Sequence, residues 1–102
     1  MLKHTASTID ERTSGQLAEL FSALSDPSRL AIISTLLEQE LSVSEIVERV
    51  GLSQSAVSHQ LRGLRQMHLV RGRKEGRQVF YALDDDHVAS LFQLGLDHVL
   101  HG

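Results

Sequence analysis

Leu17, Leu20, Phe21 and Leu24 recur at three- and four-residue spacing, the period of one helical face, and predict an amphipathic helix from about Thr13. The rhythm returns in Leu30, Ile33, Leu36 and Leu37 after Asp26-Pro27, where the aspartate can cap and the proline suits a first helical position. This second helix is expected to run to about Glu38. A short third helix, capped by Ser42 or Ser44, turns Ile46, Val47 and Val50 inward and stops at Gly51. Ser53 caps a fourth, from Gln54 to about Met67, with Val57, Leu61, Leu64 and His68 on its buried stripe. The period then falls to two: residues 69–73 and 78–83 read as strands joined by a turn at Lys74-Glu75-Gly76-Arg77. Helical spacing resumes over residues 86–101, with Val88, Leu91, Phe92, Gly95 and Val99 on the apolar stripe. Residues 1–12 are polar and aperiodic and read as a mobile tail, which leaves residues 13–102 as one domain, mainly α with a small β-hairpin.

A short helix, a tight turn at Gly51-Leu52-Ser53, a helix opening on small polar side chains and a hairpin behind it make a winged helix-turn-helix pattern. The net charge of -3 argues against a nucleic-acid partner until the charges are located. Residues 1–48 carry three Lys/Arg and eight Asp/Glu, residues 49–77 seven and one, and residues 78–102 none and four, so a block of +6 covers the motif. Within that block Gln54 can pair with an adenine edge, Ser55 and Ser58 permit close approach, and His59 can donate to a purine or a phosphate. Arg62, Arg65, Arg71, Arg73, Lys74 and Arg77 suit the phosphate backbone, the last four from the wing. Double-stranded operator DNA is the partner this pattern implies.

At 102 residues the chain can bury one core but keeps a large surface fraction, which favours dimerisation. It has no cysteine, so disulfides, thiolate metal sites and thiol redox sensing are excluded together. With no apolar run near eighteen residues and no leader, it reads as soluble and cytoplasmic, with no membrane partner.

Three of the six histidines fall in the last helical stretch. His98 and His101, at i and i+3, are neighbours on a helix, and Asp85 can meet His87 only from a position just before the first turn. His87 and His98 are eleven residues apart, about 16 Å along a helix, so one ion cannot touch both within one chain. Two such helices lying antiparallel across a two-fold axis bring Asp85 and His87 of each chain against His98 and His101 of the other. Three imidazoles and a carboxylate suit tetrahedral zinc, and His4 stands as a possible extra donor.

Ala23-Leu24-Ser25-Asp26-Pro27-Ser28-Arg29-Leu30, Leu52-Ser53-Gln54-Ser55-Ala56-Val57-Ser58-His59-Gln60-Leu61 and the Asp85, His87, His98, His101 set together resemble the ArsR/SmtB winged-helix metal-sensing repressors, from about residue 15 to the end. The last set is similar to the inter-subunit zinc site on the fifth helix of that family. The resemblance implies a homodimer, joined through its terminal helices, that represses an efflux or sequestration gene when metal-free and leaves the operator when metal binds. Other members carry a Cys-x-Cys pair at the start of the third helix, where this chain has Leu41-Ser42-Val43-Ser44-Glu45, so sensing of thiophilic metals there is not expected. Members with a similar set plus N-terminal donors sense nickel or cobalt. Two competing readings are a winged-helix repressor answering to a non-metal signal and a metallohydrolase. The hydrolase is disfavoured because four protein donors leave no open position and no His-Glu-x-x-His run is present, and no organic substrate is expected.

Overall fold

The structure, a computed structural model, describes residues 8–102, so His4 lies outside the described residues. Five helices, α1 (Glu11–Ala23), α2 (Pro27–Thr35), α3 (Val43–Val50), α4 (Gln54–Gln66) and α5 (Asp86–His101), enclose a small antiparallel sheet of β1 (Leu41–Ser42), β2 (Val70–Glu75) and β3 (Gln78–Leu83). The strand order is β1-β3-β2. Ile32, Ile33, Ile46, Val57, Leu61 and Leu64 are fully enclosed, so the core is formed by the inward stripes of α2, α3 and α4. Val70, Leu83 and Val88 extend it to the sheet and to the first turn of α5.

The boundaries follow capping chemistry more than hydrophobic period. The first helix begins at Glu11 rather than about Thr13, because Asp10 caps it by accepting from the Thr13 N–H at 2.7 Å. The second ends at Thr35 rather than near Glu38; Leu36 and Leu37 keep an apolar rhythm only because the chain leaving α2 still packs on the core. Ser42, not Ser44, caps α3, and a capping box with Glu45 satisfies both backbone donors. The short strand β1, which sequence periodicity does not reveal, pairs Leu41 with Tyr81 and Ser42 with Phe80. Lys74 and Glu75 lie in β2 and pair with Val79 and Gln78, so the hairpin turn is Gly76-Arg77 alone.

The end of α4 corrects the expectation for His68. It is exposed and left-handed (φ 60°), not part of the buried stripe. Its N–H donates to Arg65 O at 3.0 Å and that of Leu69 to Leu64 O at 2.9 Å, the paired bonds of a Schellman motif, with histidine where glycine is usual. Leu64 and Leu69 are buried and make the apolar contact that accompanies the motif.

Candidate nucleic-acid interface and metal-ligating helix

Gly51, left-handed at φ 72°, closes α3 and frees the chain to turn at once into Ser53, whose hydroxyl accepts from the Ala56 N–H at 3.0 Å and starts α4. The angle between α2 and α4 is set by a polar clasp that sequence reading passed over. Arg29 donates through Nε to Gln60 Oε1 at 2.7 Å, and the amide of Gln60 donates to Asp26 at 3.4 Å. Gly63 makes room for this clasp, since a Cβ there would sit 3.3 Å from the Arg29 guanidinium.

With its apolar stripe and Gln60 turned inward, α4 leaves Gln54, Ser55, His59, Arg62 and Arg65 exposed and Ser58 half-buried on its outer side. Gln54 shares a polar cleft of about 210 Å³ with Arg77 and Gln78, so the start of α4 and the tip of the hairpin form one surface. Lys74 is exposed beside them.

Two wing arginines are already engaged. Arg73 donates to both oxygens of Glu40, at 2.7 and 3.1 Å, and to Glu75 at 2.9 Å, while its guanidinium lies 5.1 Å from the Phe80 ring centre. The hydrogen bond from Arg73 holds the Glu40 carboxyl below the usual range. Glu40 belongs to the acidic first half of the chain, and only the fold brings it to the basic block. Arg71 directs its Nη1 to Leu83 O and Asp84 O, at 2.9 and 2.7 Å.

The four candidate metal ligands all lie on or beside α5 and are exposed. Asp85 is its N-cap, accepting from the N–H groups of His87 and Val88 at 2.9 and 3.2 Å. These bonds, Val88 first, hold its carboxyl below the usual carboxylate range. Both fall on Oδ1, and among the described residues no hydrogen bond is made to Oδ2. The His87 ring nitrogen Nδ1 is 3.6 Å from the same Oδ1, so this pair converges at the entry of the helix. His98 and His101 occupy its last turn. The His101 Nδ1 lies 3.0 Å from Asp97, an i,i+4 pairing that leaves Nε2 as the free donor. Among the described residues no three His, Cys, Asp or Glu side chains gather within one chain to hold an ion. Asp85 and His87 thus lie at one end of α5 and His98 and His101 at the other, two candidate half-sites. At the start of α3, Ser42 and Glu45 are bound to each other in the capping box.

Leu94, between the two ends of α5, and Val99 and Leu100, between His98 and His101, are 71%, 78% and 63% exposed. The other exposed large hydrophobics among the described residues are Leu96 on α5, Leu17 and Phe21 on α1, and Ile9 just before it. Phe21, Leu24, Leu30, Leu91, Phe92 and Val99 contribute to an apolar groove of about 610 Å³ that runs along α5.

The model of the "Bacterial regulatory protein, arsR family" matches residues 26–71, from the cap of α2 to the start of the wing. The "Transcriptional repressor SmtB homolog" of Synechocystis is 51% identical over 84 residues, 82% of this chain and 64% of its own length; the chain thus spans less than two thirds of that relative. The "HTH-type transcriptional regulator NmtR" of Mycobacterium tuberculosis is 43% identical over 93 residues, 91% of this chain and 78% of its own. The solution structure of apo-NmtR superposes with a TM-score of 0.80, covering 100% of this chain and 85% of that one at 40% identity. HlyU from Vibrio cholerae, named a transcriptional activator, also gives 0.80, at 40% identity and covering 88% of this chain and 97% of that one. These relatives are transcriptional regulators and not enzymes, so the hydrolase reading is set aside. The matched segment is the helix-turn-helix itself, and NmtR matches well beyond it on either side: the chain belongs to the ArsR family of bacterial regulatory proteins, with a winged helix-turn-helix fold.

Proposed function

We propose that the chain is a metal-responsive transcriptional repressor acting as a homodimer, in which zinc held between the α5 helices of two protomers lowers affinity for operator DNA. The observation that carries this reading is the layout of α5: Asp85 and His87 converge at one end, His98 and His101 stand at the other, exposed Leu94 lies between, and exposed Val99 adjoins His98. Antiparallel pairing of two such helices covers these apolar side chains and closes both half-sites at once. A bound ion supplies a cross-link between the protomers. The rest is done by the chain: the N-cap bonds orient Asp85, Asp97 orients His101, and the helix pair sets the spacing of the two recognition helices against successive major grooves. The names of the SmtB homologue and of apo-NmtR support a repressor with a ligand-free form.

A second reading, a regulator answering to a non-metal signal, is favoured by the equal structural likeness to HlyU, named for activation and not for a metal. The two part at the donors. Mixing an Asp85→Ala, His87→Ala chain with a His98→Ala, His101→Ala chain should give heterodimers that bind zinc at one intact site, since the other has lost all four donors. Verified heterodimers with no high-affinity zinc site on titration would leave the non-metal reading.

A further inference from the structure

We propose that Arg71 is a positioning residue for the Asp85–His87 pair, fastening the β3–α5 corner to the wing and through it to the recognition helix. The metal side of this inference rests on the reading just given. Its charge and its place in the wing make Arg71 a phosphate contact by sequence, but the guanidinium goes elsewhere. Arg71 pairs with Ala82 in the β2–β3 ladder, and its Nη1 reaches on to Leu83 O and Asp84 O, the last two carbonyls before Asp85. One cationic group bonded to both carbonyls sets the direction in which the chain leaves β3. Asp85 follows at once, and its carboxylate must meet the His87 and Val88 N–H groups for α5 to start there.

The same corner is bonded on its other side. The Asp84 N–H donates to Leu69 O at 3.0 Å, and the N–H groups of Leu69 and His68 close the Schellman bonds onto Leu64 and Arg65 of α4. Leu69 and Leu83 are buried beneath it, so the corner cannot shift without disturbing the core. Asp85 is joined through the backbone to Asp84, and from Asp84 hydrogen bonds lead through Leu69 to Leu64 of the helix that faces DNA, with Arg71 as the side-chain tie of the corner. A cation held by the Asp85 carboxylate therefore acts on a corner whose next residue, Asp84, is bonded to the segment that ends the recognition helix.

The test uses the full chain with Arg71→Ala and Arg71→Lys, the latter keeping the charge without the planar fork. In the metal-free protein, amide exchange at Asp84, His87 and Val88 should quicken about tenfold or more in Arg71→Ala and less in Arg71→Lys, while Leu61 and Leu64 in the core keep their protection; zinc affinity should fall by about tenfold, as for other groups that orient ligands. Binding to a random-sequence duplex should keep its salt dependence. Unchanged exchange at the three amides overturns the proposal, as does a loss of about 0.9 from the salt slope, the signature of one lost phosphate contact. Should Arg71→Ala not fold, Arg71→Lys carries the same readouts. A wild type that bound no zinc would remove the metal reading, and the exchange data would still decide the place of Arg71 in the corner.

Discussion

The guanidinium of Arg73 lies between two carboxylates and near the face of a ring, so its charge is balanced before any phosphate arrives. Counting Glu40 with the basic block it touches lowers that block from +6 to +5. On the proposed reading, Lys74 and Arg77, exposed along the wing, release counterions when DNA binds. Lys74→Ala and Arg77→Ala should each lower the salt slope of binding to random duplex by about 0.9, and Arg73→Ala by clearly less. Fluorescence anisotropy over a sodium chloride series reads this directly; equal slopes for all three variants would show that Arg73 leaves its carboxylates when DNA binds.

The recognition helix ends on a strained cap. A left-handed conformation costs a residue with a Cβ on the order of 1 kcal/mol, and His68 bears it because the Schellman bonds and the buried Leu64–Leu69 contact over-determine the turn. Glycine relieves the strain with the same hydrogen bonds. His68→Gly should raise the melting temperature by several degrees, from about 1 kcal/mol in a domain of this size, less the added freedom of the unfolded chain. Calorimetry on the metal-free protein checks it, and a lowered melting temperature would show that the imidazole makes a stabilising contact. At the other end, Ser53→Ala removes the cap of α4 and should cost about 1 kcal/mol, with the loss appearing as fraying around Gln54 and Ser55.

The protomer measures 53 × 31 × 21 Å with a radius of gyration of 15.7 Å, against about 13 Å for a compact chain of this length. That elongation goes with exposed leucines on α1 and α5. On the proposed reading a second copy laid along α5 covers them. Leu94→Glu with Val99→Glu should convert the dimer to a monomer in sedimentation equilibrium at micromolar concentration. The monomer should keep its helix content, since neither side chain is in the core, and lose about 100-fold or more in affinity for a two-half-site operator, because the two recognition helices are no longer linked. A variant that remained dimeric would place the interface elsewhere.

Much of this architecture is local and therefore readable along the chain. The caps Asp26 and Ser53, the stop at Gly51 and the period of the buried stripes on α3 and α4 depend on neighbours within a few residues, and the helix-turn-helix follows from them. The nearness of Asp85 to His87 is likewise a consequence of two-residue spacing at a helix entry. What sequence could not decide were the contacts made across long stretches of chain. Arg73 meets Glu40 thirty-three residues away, Gln60 meets Arg29 thirty-one away, and β1 exists only because β3 pairs with it. Whether a charge in a basic block is free for DNA or bound within the protein depends on which distant oxygens folding brings beside it. Spacing along one chain therefore named the cations, and tertiary packing decided that the exposed Arg71 and Arg73 also bond to oxygens within the protein.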